Sequence, residues 1–497
     1  MVGDMVLHRS TALSLVKGPP GLRRRLRVLA CVVASLAACS PAIGGSDGGV
    51  AGGAGGGAMG GGFAGGSTAG GSTAGGSTAG GSTAGGSTGG GSTAGGSTGG
   101  GSAPDCARPE VRCVPSEYAT IQAAADVTLP GDLVFVAAGT WRGVNVTRSG
   151  TKAARVEYRG AAGARITQGS QTNDDGVRLQ NVSDIVVQGF EIDSTMMTGR
   201  CVAARGAAAT APMRRNVVRN VTCTNAAHEG FYLSQFADGL VEGCTITGSG
   251  RDGTARGHGL YLANGGSDGT TLRGNRISGA GPMESAGIHL NGDLSVGGDG
   301  LIQDVVIENN VISGNNHNGV NADGVQRAIV RGNVITGNAR SGVRAYRIDG
   351  AAGPIGWRLV NNTISGNGAW AVKFTEDAAG HVLFNNLLFS TTGSLCVGGA
   401  VQSDSNRFDG PLSRDEEATT ITLTAWRTAT GQDPASSTST ATANFVGAMD
   451  VHLLMTAPAR NAGVASFATV NAPTTDLAGV SRPRGGAIDL GAYEFVE

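Results

Sequence analysis

Histidine recurs through the middle of the chain at nearly even intervals: His228, His258, His289 and His317 lie 30, 31 and 28 residues apart. Tyr232 and Tyr261 keep almost the same step, and Asn321, Arg344 and Lys373 continue it. An imidazole takes or gives a proton near neutral pH, a phenol can give one, and a guanidinium or ammonium holds a carboxylate. Such a set suits proton removal beside a carboxylate, with His289 as base and Tyr261 as acid. Arg344 and Lys373 would neutralise the charge, with Lys373 a second candidate base. Whether these side chains meet depends on the elements that carry them.

Those elements repeat. A small-φ-x-φ pattern (φ apolar) reads "GVRL" at 176, "CVAA" at 201, "GFYL" at 230, "GLYL" at 259, "GIHL" at 287, "GVNA" at 319, "GVRA" at 342, "AVKF" at 371 and "CVGG" at 396. A second pattern follows each, as in "LRGNRI" at 272, "VRGNVI" at 330 and "LVNNTI" at 359. Each is a short strand with period-two alternation, ended by Gly or Asn turn chemistry. Two or more strands per repeat of 25–30 residues predict a parallel β-solenoid, each coil burying its inward residues on the next. Asn275, Asn310, Asn333, Asn362 and Asn386 share one column, and stacked amides there can hydrogen-bond along the axis.

The alternation points one x residue outward per coil, about 4.8 Å apart. That column reads Arg178, Ala203, Tyr232, Tyr261, His289, Asn321, Arg344 and Lys373; two residues on, it reads Gln180, Arg205, Ser234, Ala263, Asn291, Asp323, Tyr346 and Thr375. Aromatic faces stack on sugar rings, and cations pair with uronate carboxylates. The strip therefore predicts a saccharide groove with Tyr232, Asn291, Asn321, Asp323 and Tyr346 as binding residues. His258, by parity, points inward or sits at a corner, where a structural hydrogen bond competes with catalysis as its role.

The repeats, the opening "YATIQAAADVTLPGDLVFVAAGT" (118–140) and the ending "TDLAGVSRPRGGAIDLGAYE" (475–494) resemble the pectate-lyase-like superfamily. The resemblance implies an all-β, right-handed parallel β-helix of about ten coils with a short N-terminal capping helix. It leaves function open, since that superfamily holds lyases, hydrolases, epimerases and non-enzymes.

The N-terminus sets the expected location. Residues 22–39, "LRRRLRVLACVVASLAAC", place a basic cluster before an apolar run too short to span a bilayer. The ending Leu36-Ala37-Ala38-Cys39 resembles the bacterial lipobox, which implies cleavage before Cys39 and its lipidation. Ser40 follows, so the outer membrane or cell surface is expected. The domains expected are a signal peptide (1–38), a lipidated Cys39 with a disordered Gly/Ser/Thr/Ala-rich tether (39–104), the β-helix (105–400) and C-terminal coils with a cap (401–497).

A formal charge of −1 argues against nucleic acid, which needs a basic excess. In an oxidising compartment Cys106 and Cys113 are expected to close a small loop. Cys201 and Cys396 are read as one column, about 34 Å apart, and Cys223 and Cys244 as offset by two residues, about 8 Å. Neither pair is in disulfide reach, so all four are expected to be buried free thiols. Asp293, Asp299 and Asp304, in the longest repeat, could hold calcium, though no EF-hand spacing supports it. No other cofactor is expected.

The sequence thus predicts a monomeric, exported, lipid-anchored β-helix that binds an acidic polysaccharide and modifies it by lyase- or epimerase-type proton abstraction. The alternative is a non-catalytic saccharide-binding or adhesive scaffold.

Overall fold

The computed structural model describes residues 103–497 except 254–256, 264, 293, 295–297 and 391. The signal segment, Cys39, nearly all of the tether and Asp293 lie outside the described residues.

Three long parallel sheets form the body, with twelve strands in sheet A, twelve in sheet B and eleven in sheet C. One coil runs through sheet C (Phe231–Ser234), sheet A (Leu240–Glu242) and sheet B (Thr245–Thr247) before re-entering sheet C at Leu260–Ala263. The short helix Ile121–Ala125 stands at the N-terminal end, its N-terminus capped by the Thr120 side chain. Beyond residue 400 the coils continue through Val401–Asp404, Arg407–Phe408, Leu412–Ser413 and Ser437–Thr438.

The inward residues of sheet C form two adjacent columns, Phe231, Leu260 and Ile288 in one and Leu179, Leu233 and Leu262 in the other, all fully buried. Each side chain rests on its counterpart one coil away, so apolar area is removed from water along the whole axis. The A-to-B corner has two residues. The first adopts a left-handed conformation at Gly243, Gly274, Asn309, Gly332 and Asn361, which explains why that column is glycine or asparagine. The second is the asparagine column. Asn275, Asn310, Asn333 and Asn362 each donate Nδ2–H to the next Oδ1 at 3.0 Å, ending on Asn386. The ladder runs on to Asn406 at 3.0 Å. A second ladder, Asn315–Asn338–Asn367, with bonds of 2.8 and 2.9 Å, was not foreseen.

Two expectations need correction. Cys106–Cys113 is a disulfide as expected, but Cys201 and Cys223 are also bonded, with Cα atoms 5.7 Å apart. Cys223 sits in sheet B and Cys201 just ahead of its sheet C strand, so the bond crosses the interior sideways rather than along a column. Cys244 and Cys396 are the buried free thiols. Cys396 moreover pairs in register with Lys373, which puts it in the outward column and not in the column of Cys201.

The "TDLAGVSRPRGGAIDLGAYE" ending builds a clamp. Arg482 and Glu494 form a fully buried ion pair at 2.6 Å, and Arg482 also donates to the carbonyls of Asp489 and Gly491. Asn361, at the A-to-B corner, donates to the same two carbonyls, which fastens the clamp to the coils.

Candidate functional site

Sheet C carries the expected outward column in the expected order. Arg178, Ala203, Tyr232, Tyr261, His289, Asn321, Arg344 and Lys373 pair strand to strand without a slip. The column is less exposed than its outward direction suggested: His289 is only 6 % exposed and Asp323 1 %.

Its aromatic members touch. Tyr232 meets Tyr261 edge-on with ring centroids 5.5 Å apart, and Tyr261 lies 4.7 Å from His289. His258 occupies the corner before its strand, stacks on His289 at 4.4 Å and accepts the Ala286 N–H on Nδ1 at 3.0 Å. That bond ties one coil to the next. Burial pushes the Tyr261 phenol pKa up, so it stays protonated, and Asn291 donates to its oxygen at 3.1 Å.

A chain of amides leads to His289. The Ser341 N–H donates to Asn318 Oδ1 at 2.8 Å, so the Asn318 amide nitrogen faces Asn321 Oδ1 at 2.7 Å. The Asn321 nitrogen is then left to face His289 Nδ1 at 2.9 Å and the Tyr346 hydroxyl at 3.1 Å. The Asn321 backbone carbonyl lies 3.2 Å from the same Nδ1, and Nε2 lies 3.9 Å from Asp323 Oδ1.

Cations flank this centre. Arg200 and Arg205 lie over the Tyr232 ring at 4.8 and 4.6 Å, and Arg344 lies over Tyr346 at 4.1 Å. Arg200 pairs with Glu229, and Arg178 with Asp175. Lys373 is tied to Glu417 at 2.6 Å, so neither its base role nor its carboxylate-holding role is open to it while that pair stands. Arg205 and Arg344 have no carboxylate in ion-pair reach among the described residues, and the Nε of each is buried without a partner. Burial, then the charges of Arg200 and Arg178, pull the Arg205 pKa down. Such a guanidinium is short of an anion.

Sheet A gives the contrast. In its outer row Arg273 and Arg331 share Glu308, each at 2.7 Å, Arg273 also reaches Glu242 at 3.4 Å, and Arg219 bonds the neutral Gln188.

Of the three aspartates considered for calcium, Asp293 lies outside the described residues. Asp304 is bound by Arg327 at 2.8 Å, and Asp299 accepts the Leu301 N–H at 3.1 Å. Among the described residues no three His, Cys, Asp or Glu side chains gather as a metal requires.

Sequence reasoning missed Arg200, Glu229, Asn318 and Arg340, all on or beside the B-to-C turns. Those turns vary in length, and the strand columns do not reach them.

The family model described as "Right handed beta helix region" matches residues 137–343 and 254–409, more than half of the chain. The chain belongs to this right-handed β-helix family. Among solved structures it is similar to pectate lyase Pel9A, at 16 % identity over 75 % of this chain and 90 % of that one, with a TM-score of 0.48. It is similar to the A-module of the Azotobacter vinelandii mannuronan C-5 epimerase AlgE4, at 14 % identity over 57 % and 86 % of the two chains, TM-score 0.35. It is also similar to PfbA, a surface adhesin of Streptococcus pneumoniae, at 12 % identity over 57 % and 78 %, TM-score 0.43. At these values none of the likenesses bears on activity. No curated protein matches the chain.

Proposed function

We propose that this chain is an exported, lipid-anchored β-helix protein that binds an acidic polysaccharide along the outer face of sheet C. The observation that carries the reading is the pair of guanidiniums without carboxylates, Arg205 and Arg344, at either end of a run of aromatic and amide side chains. Five coils separate them, about 24 Å at strand spacing. A polymer bearing a carboxylate on each ring supplies anions at such intervals, and its ring faces suit Tyr232 and Tyr346. Two disulfides support an oxidising, extracytoplasmic setting, and the lipobox-like Cys39 would supply the anchor.

Lyase or epimerase chemistry is the second reading, favoured by the grouping of Asp323, His289 and Tyr261. Asp323 would take the proton α to the sugar carboxylate, and the His289 Nε2–H would stabilise the resulting enediolate. Tyr261 would then protonate the departing glycosidic oxygen, leaving a carbon–carbon double bond, or return a proton to the opposite face. The geometry ranks this behind binding because the base and the donor are covered: Asp323 is buried and so is His289.

The test is a panel of polygalacturonate, alginate and neutral glucans, scored for retention of the protein and for unsaturated or epimerised uronate ends. Retention on the acidic members alone supports the proposal, and product formation would raise the second reading above the first. Equal retention on neutral glucans, or none on any member, would overturn it.

A further inference from the structure

The outward column of sheet C does not run on to the end of the coils. After Lys373 the next member is Cys396, fully buried, followed by Ser413, equally buried. What covers them is the turn after Leu412–Ser413, which folds back over the outer face. The Ser413 hydroxyl accepts the Glu417 N–H at 3.0 Å, the Glu417 carboxylate holds Lys373 at 2.6 Å, and the Glu416 carboxylate accepts the Glu376 N–H at 2.7 Å. The turn, with its Glu416 carboxylate, thus stands where a polyanion extending along the column would next pass.

Immediately before this barrier lies a cavity of about 310 Å³ whose lining includes His317, Arg340, Arg344, Lys373, Glu284 and Glu417. Arg340 and Arg344 have no carboxylate in ion-pair reach among the described residues, while Lys373 is already neutralised. Glu417 is neutralised in that same pair and Glu284 also lines the cavity, so the direction of entry is set by the covering turn, which closes the column beyond Lys373. With the turn lying over Cys396 and Ser413 and the Glu416 carboxylate beside it, the next acidic ring of a longer chain finds no open face beyond Lys373.

We infer that this face receives its ligand by a chain end: the last acidic ring sits in the Arg340–Arg344 cavity, and the Asp415–Glu417 turn is the stop. The inference rests on the polysaccharide-binding reading and adds to it a preference for termini over the interior of the polymer. Binding then depends on the number of chain ends and not on the length of polymer. Arg340 becomes a specificity-determining residue that the strand columns do not contain.

The experiment is calorimetric titration of the full chain with a length series of oligogalacturonates and oligoalginates, from four residues to polymer. The expected result is one protein per chain at every length, with affinity per chain flat once the groove is filled. Arg340→Ala, at an exposed site that leaves the coils intact, is expected to weaken binding about tenfold at every length, the loss of one charge-assisted contact. A protein count that grows in proportion to polymer length overturns end recognition and leaves the binding face standing. Wild-type affinity in Arg340→Ala overturns the cavity as the terminal subsite. Absence of binding at any length overturns the polysaccharide reading itself, and end recognition with it.

Discussion

His381 shows how this interior treats a titratable side chain. It is fully buried, stacks on Phe374 at 4.3 Å and accepts the Trp357 N–H on Nδ1 at 3.3 Å, while burial lowers its pKa from 6.5 to about 3. The fold therefore favours the neutral ring. Above pH 6.5 both folded and unfolded chains hold it neutral and its contribution is intact; as pH falls from 6.5 towards 3 only the unfolded chain takes up the proton. Stability is expected to drop by about 1.4 kcal/mol per pH unit across that window from this group. In His381→Asn the amide oxygen can replace Nδ1 as acceptor, and the melting temperature should depend less steeply on pH between 6.5 and 4.5. An unchanged slope would count against the buried neutral ring. At this scale the sequence was informative about direction and silent about occupancy. Alternation placed His289, Asn321 and Arg344 on one face, because parity along a strand is a backbone property. It could not show that the Asn321 side chain meets His289 Nδ1, or that Glu417, forty-four residues along the chain, claims Lys373.

The elements that hold those side chains depend on the asparagine ladders. Asn333 donates to the carbonyl of Ile307 and to Asn362, and accepts from the backbone and side-chain amides of Asn310. Asn333→Leu strands several buried polar groups, each costing about 1–3 kcal/mol, so the variant should melt well below wild type. The exposed Lys152→Ala is the control; equal melting of the two would contradict the ladder. The first ladder was legible because its column recurs beside a left-handed turn residue. The second carried its own signal: Asn315, Asn338 and Asn367 each follow a first-ladder asparagine by five residues. Cys201–Cys223 escaped because column reasoning compares like positions along the axis, whereas this bond joins two sheets across a coil. Cys201→Ser is expected to lower the melting temperature without reagent, and wild type under a reductant strong enough to open the bond should match it.

At the scale of the whole molecule, the C-terminal clamp and the binding face are separable. Glu494→Gln leaves the Arg482 charge fully buried without its partner, which typically costs 3–5 kcal/mol. It should destabilise the protein while leaving saccharide affinity of the folded fraction unchanged, as a parallel melt and titration would show. The central claim is that the outer face of sheet C meets the polyanion through Arg205 and Arg344, whose Nε atoms are buried without a partner. The direct measurement is affinity for polygalacturonate and alginate of the double variant Arg205→Ala/Arg344→Ala beside the sheet A variant Arg331→Ala, each checked for wild-type melting. The account predicts that the double variant loses affinity by 10²-fold or so, two charge-assisted contacts, while the sheet A variant binds like wild type. Equal losses in the two, or wild-type affinity in the double variant, would contradict it.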